Sequence, residues 1–113
     1  MHELSIVESI IELATTEAQA ANGTSIESIE LDIGTLSGIE MNSFWFAWQH
    51  ATPQTMLANA QTNINTIEGK ATCLICNAHF DISHYADPCP QCGSHFIQIQ
   101  QGKELRVKAI TIT

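Results

Sequence analysis

The sequence predicts an α+β fold: a small two-helix, three-stranded sheet body with a cysteine-bearing lobe inserted ahead of the last strand. Three observations predict it. Apolar residues recur at helical spacing near the N-terminus, period-two alternation takes over from Ile26, and four cysteines interrupt the strand pattern before it resumes. At 113 residues the chain suits one domain with a small satellite. The expected division is an α/β body at 1–69 plus 101–113 and a lobe at 70–100.

From Glu3 to Ala21, Leu4, Val7, Ile11, Ala14 and Ala18 form a helical stripe, widened by Ile6, Ile10 and Leu13. Ser5, Glu8, Ser9, Glu12 and Glu17 are left for the outer face, and Asn22-Gly23 supplies a left-handed stop. Residues 26–33 place Ile29, Leu31 and Ile33 on one face and Glu30 and Asp32 on the other, the pattern of a half-buried strand. The loop "GTLSGIE" follows, with Ser37 to Glu40 spaced as a capping box. A second helix over about 40–51 carries Met41, Phe44, Trp45 and Trp48 on one side and ends before Pro53. Its aromatic residues are expected in the core. Residues 60–68 alternate as a strand, with Thr62, Ile64 and Thr66 set against Asn63, Asn65 and Ile67. "FIQIQ" and "LRVKAITIT" complete the sheets. Leu105, Val107 and Ala109 share one phase and Ile110 and Ile112 the other, which a bulge near Ala109 would reconcile.

Composition narrows the function. The formal charge is −8, and residues 1–69 hold nine acidic residues with no Lys or Arg. Phosphate recognition needs cationic side chains, so nucleic acid is not an expected partner. An acidic field favours cations and basic partners, though it also serves simple solubility. No apolar run reaches the roughly 18 residues of a membrane span, and no signal-peptide pattern opens the chain. The expectation is a cytoplasmic protein without a membrane role. Its thiols then stay reduced, which points its cysteines toward a metal rather than disulfides.

Cys73, Cys76, Cys89 and Cys92 read C-x2-C-x12-C-x2-C. Each pair spans one edge of a tetrahedron and the intervening loop brings the pairs together, as in a zinc ribbon. Pro90 stiffens the second turn, and Gly93 can take the backbone conformation that lets amides approach sulfur. Four thiolates leave no open position, so zinc here is structural; a rubredoxin-like iron is the rival occupant. A lobe this small needs its metal for folding. His79 and His95 follow the two pairs at matching C-x2-C-x2-H positions. They are either exposed histidines near the metal or groups that enter or tune the site as pH changes.

At the other end stands "MHELS". The bulk of His2 disfavours removal of Met1, which leaves an amine, an amide and an imidazole within two residues. All three can reach one metal ion; the alternative is a start residue followed by a surface histidine. Glu40 and His84 are possible accessory groups, with capping and solvation as their ordinary roles, and His50 suits a helix terminus. No Ser-His-Asp or Cys-His arrangement and no phosphate-cradling glycine loop suggests an enzyme.

Taken in order, "MHELS", "GTLSGIE", and the paired cysteines ending in "CPQCGS" resemble the HypA/HybF family of hydrogenase nickel-insertion proteins. The resemblance spans essentially the whole chain; "ATPQT" before the second strand departs from it without touching a ligand. It implies a nickel-binding α/β domain bearing a zinc domain, and delivery of nickel to the large subunit of NiFe-hydrogenase alongside a HypB-type GTPase. In some organisms urease is also supplied. It places nickel on Met1, His2 and Glu3, where the amine, the His2 amide and Nδ1 form fused chelate rings and Glu3 completes a tetragonal set. The expected state is a monomer or weak homodimer. Two other readings stay open: a zinc-ribbon docking adaptor with no nickel site of its own, and a rubredoxin-like electron carrier.

Overall fold

The computed structural model describes residues 3–113. Its elements run α1 (Glu3–Ala20), β1 (Ile26–Gly34), α2 (Met41–Ala51), β2 (Gln61–Ile67), β3 (Lys70–Cys73), β4 (His79–Asp81), β5 (Ile97–Gln101) and β6 (Leu105–Ile112). They build two helices and two three-stranded sheets, ordered β2-β1-β6 and β4-β3-β5. The α+β expectation holds, with the inserted lobe forming a small sheet of its own.

Helix α1 buries Ile6, Val7, Ile10, Ala14 and Ala18. Leu4 and Leu13 fall outside this stripe, each 49% exposed, so the buried face is narrower than the sequence suggested. The helix ends in a left-handed Asn22 at φ 60°, with Gly23 N donating to Ala18 O and Asn22 N to Gln19 O. This is a Schellman cap with asparagine in the position glycine usually takes. Helix α2 packs against α1 and buries Phe44, Ala47 and Trp48. Met41 and Trp45 are only half-buried. The Trp48 ring stacks on Phe44 at 5.7 Å, and its Nε1 donates to Thr62 Oγ1 at 3.2 Å.

Two sequence expectations need correction here. Strand β1 is not half-exposed, because Asp32 is only 2% exposed. Alternation of buried and more exposed residues lapses after Glu30, and every residue from Leu31 to Gly34 is buried. Nor does Ser37 cap α2. Glu40 is the N-cap, accepting from Ser43 N at 2.8 Å, after a left-handed turn at Gly38. The helix closes as expected, with Thr52 as C-cap before Pro53.

Hydrogen bonds at opposite ends fix the direction of β6 against β1. Thr113 N donates to Ser25 O and Gly34 N to Glu104 O, so the strands run antiparallel. Thr35 N donates to Ile67 O, which brings the C-terminal ends of β1 and β2 together as parallel strands joined through α2. In β2, Thr66 is exposed while Ile64 and Asn65 are both half-buried, so strict alternation lapses there. In β6 the half-buried positions pass from Val107 to Ile110 and Ile112 across exposed Lys108 and Ala109, where the sequence phases change.

The chain divides into two compact units. One comprises the N-terminal segment through Leu31 with Ile39–Asn65 and Arg106–Thr113; the other comprises Asp32–Gly38 and Thr66–Leu105. The second unit has a small apolar core of Leu36, Ala71 and Ile82, with Phe80, Ile97 and Ile99 packed against it. Its sheet is antiparallel, pairing Ala71 with Phe80 and with Ile99.

Candidate metal centre

Cys73 ends β3, and the chain turns back at once through Leu74, Ile75 and Cys76. Cys73 N donates to Ala78 O at 2.8 Å and Asn77 N to Cys73 O at 3.0 Å. The second pair repeats the pattern: Cys89 N donates to Ser94 O at 2.8 Å and Gly93 N to Cys89 O at 2.9 Å. Both turns need one left-handed residue, and they have it in Asn77 at φ 62° and Gly93 at φ 75°. The role expected for Gly93 is thus matched by Asn77. Its place directly behind the first C-x2-C was the overlooked signal, since asparagine tolerates this conformation better than most residues.

These two knuckles face each other. The four Sγ atoms lie within 4.8 Å of one another, with Cys73–Cys92 and Cys76–Cys89 separations of 3.6 Å. Tetrahedral zinc with Zn–S bonds of about 2.3 Å sets its sulfurs about 3.8 Å apart, so the cluster fits the ion. Cys73 and Cys89 are buried and Cys76 and Cys92 exposed. Ile75 N and Cys76 N point at Cys73 Sγ from 3.4 and 3.5 Å, the donor arrangement that stabilises thiolate ligands.

The thiols' acidities follow from those amides. The Cys76 amide, with that of Ile75, pulls Cys73 down to about 6 against the opposing effect of burial. Cys89 is lowered in the same way by the amides of Cys92 and Gln91. Cys76 moves up to about 12: the Ala78 amide favours its thiolate, but burial and proton sharing with Cys89 and Cys73 outweigh it. Cys92 rises too, its Ser94 amide outweighed by sharing with Cys73 and by burial. Each 3.6 Å pair therefore joins a sulfur inclined to ionise and one inclined to keep its proton. A central divalent cation resolves that conflict by favouring the thiolate at all four.

The histidines among the described residues stand outside the sulfur cluster. His79 opens β4 with Nδ1 2.9 Å from Thr72 Oγ1, and His95 is exposed beyond the second knuckle. His84 is exposed in a loop where Asp87 Oδ2 accepts from the Ser83 and His84 amides. His50 sits at the end of α2, Nδ1 2.8 Å from Phe46 O, with its ring 4.2 Å from that of Phe46.

Of the expected nickel ligands, Met1 and His2 lie outside the described residues. Glu3 opens α1, and its Oε2 accepts from Glu40 N at 3.3 Å. The first residue of α1 is thereby linked to the N-cap of α2.

A two-helix α+β body joined to a tetrathiolate lobe defines a small metal-handling protein whose cysteines fit structural zinc. A family model described as "Hydrogenase/urease nickel incorporation, metallochaperone, hypA" matches residues 1–112. The chain is 41% identical over 112 residues to the hydrogenase maturation factor HypA of Azotobacter vinelandii, covering 99% of each. Against the HypA of Parabacteroides distasonis it is 42% identical over 112 residues, covering 99% of this chain and 97% of that one. The solution structure of the Ni metallochaperone HypA from Helicobacter pylori superposes with a TM-score of 0.70 at 25% identity, covering 99% and 97% of the two chains. The chain belongs to the HypA family. That family is one of nickel metallochaperones and hydrogenase maturation factors rather than enzymes, and the four clustered cysteines here fit a structural zinc.

Proposed function

We propose that the chain carries Ni(II) on Met1, His2 and Glu3 and helps insert it into the large subunit of NiFe-hydrogenase, while Cys73, Cys76, Cys89 and Cys92 hold a structural zinc. The observation that carries this reading is the family match across residues 1–112, which takes in both the N-terminal Met-His-Glu and the two cysteine pairs. In this reading 1–69 plus 101–113 form the nickel domain and 70–100 the zinc domain. A HypB-type GTPase is the partner in delivery, urease a second acceptor, and the cytoplasm the site of action.

The chemistry supports separate sites. Nickel(II) accepts a tetragonal set of nitrogen and oxygen donors, which an amine, an amide, an imidazole and a Glu3 donor supply. Four thiolates suit zinc in a tetrahedral site with no open position. Cargo and resident ion are then sorted by donor type.

Nickel titration by calorimetry of zinc-loaded protein beginning at Met1 tests the assignment. One ion per chain should bind without loss of zinc. His2→Ala, acetylation of the terminal amine, or added residues ahead of Met1 should each abolish tight binding and leave the fold intact. Tight binding retained by all three would place the nickel site elsewhere. No nickel binding by the native-ended protein would favour the docking adaptor, and a coloured, redox-active iron form the electron carrier.

A further inference from the structure

In the order β2-β1-β6, strand β6 has a neighbour on one side only. Its eight residues present a long edge of backbone donors and acceptors, the kind of edge that proteins either blunt or use. Two features lie along it. A groove of about 290 Å³ separates α1 from β6, lined by Leu13, Ala14 and Glu17 on the helix and by residues 107–110 on the strand. Leu13, half exposed, offers it an apolar wall. The second feature is charge. Arg106 and Lys108 are exposed on β6 and are the only Lys or Arg residues of their unit, which holds seven glutamates.

Lys108 marks which face the charge occupies. Its Nζ lies 3.7 Å from Glu30 on β1, and Asn65 on β2 donates to the same Glu30 carboxylate at 2.7 Å. Glu30 alternates with Ile29 and Leu31, each 1% exposed, so this polar row lies on the sheet face opposite those buried residues. Lys108 is 55% and Glu30 37% exposed, so the pair is open to solvent and holds Lys108 only weakly.

We propose that β6 is a docking edge for an extended segment of a partner protein, one that alternates apolar and acidic residues and adds to the sheet as a fourth strand. Main-chain bonds to β6 supply the pairing, and side chains of an added strand point alternately to the two faces. Those on the helix side enter the groove beside Leu13, where Glu17 disfavours carboxylates. Those on the other side meet Arg106 and Lys108, which favour them. A second copy of this chain is a poorer occupant, since antiparallel pairing of β6 with itself over its full length sets Arg106 against Thr111 and Lys108 against Ala109, giving neither cation a carboxylate across the pair. The proposal is independent of either metal site.

The test uses zinc-loaded, isotope-labelled full-length protein and a blocked synthetic peptide of about eight residues alternating Val and Glu, matched to β6 in length. Amide shifts and slowed hydrogen exchange should map to 105–112, and the affinity should fall with salt. The double variant Arg106→Glu, Lys108→Glu, checked for native tryptophan fluorescence, should bind roughly tenfold or more weakly. A peptide N-methylated at alternate residues, or one with Lys for Glu, should lose binding to the unaltered protein. Equal binding by the N-methylated peptide overturns the proposal, as do shifts confined to β2 or the helices, unchanged affinity after charge reversal, or no binding at all. A concentration-dependent dimer of the protein alone that protects 105–112 also overturns it, in favour of self-pairing.

Discussion

Replacing Ile82 with alanine separates two accounts of how zinc and the second unit depend on each other. Ile82 is 2% exposed, lies in the core with Leu36 and Ala71, and donates its amide to Gly69 O at 3.0 Å. Truncating such a side chain costs about 2–5 kcal/mol. Only Leu36 and Ile82 are large, fully buried aliphatic residues in that cluster. At about 1.5–3 kcal/mol each they contribute about 3–6 kcal/mol, whereas structural zinc in comparable small motifs is worth about 10–16 kcal/mol. Zinc is the larger contribution, so folding and metal binding should be one equilibrium. The whole cost of Ile82→Ala then appears in zinc affinity, a loss of about 30-fold to about 4000-fold. Competition against a chromophoric chelator measures it. If the variant melts earlier yet holds zinc as tightly as the parent, the unit folds without its metal and the reasoning fails.

Three further outcomes follow from the packing. Phe44→Ala removes a fully buried ring stacked on Trp48 and should destabilise the protein by about 3–5 kcal/mol in urea, followed by tryptophan fluorescence. Gly102 has φ 116° and an added Cβ would stand 2.6 Å from Gly69 Cα; Gly102→Ala should therefore cost more than about 1 kcal/mol and lower the melting temperature. Glu40→Ala loses the bond from Ser43 N and should cost about 1 kcal/mol, while Glu40→Gln keeps an acceptor and most of the stability.

How far the sequence revealed the fold depended on how local the determining interaction was. Helix α1 was legible because 3.6-residue spacing and a C-terminal Asn22 act within one segment. Asp32 was not, since its burial depends on what lies over a central strand, which no periodicity within β1 reports. The capping error at Ser37 has a similar cause. Leu36 is committed to the second unit's core and Gly38 turns the chain left-handed, so the helix can start only after Glu40. The sulfur cluster was legible because its spacing is a local rule, C-x2-C closing one knuckle at a time. The left-handed Asn77 that completes the first knuckle was hidden by being the less usual residue for that role.

The tetrathiolate site has a consequence for the proposed cargo. Nickel and zinc are close in intrinsic affinity for a given donor set, so a carrier of one that depends on the other must separate them by geometry and access. In the second unit, amides of both knuckles are aimed at sulfur and their backbone bonds repeat residue for residue. Exchange of the ion there requires those turns to open. If zinc binding and folding of the unit are one equilibrium, that opening is as rare as unfolding of the unit, and the thiolates seldom compete for nickel. In the proposed function the cargo then falls to the nitrogen and oxygen donors of Met1, His2 and Glu3, a set that suits tetragonal nickel(II) and differs in type from four thiolates.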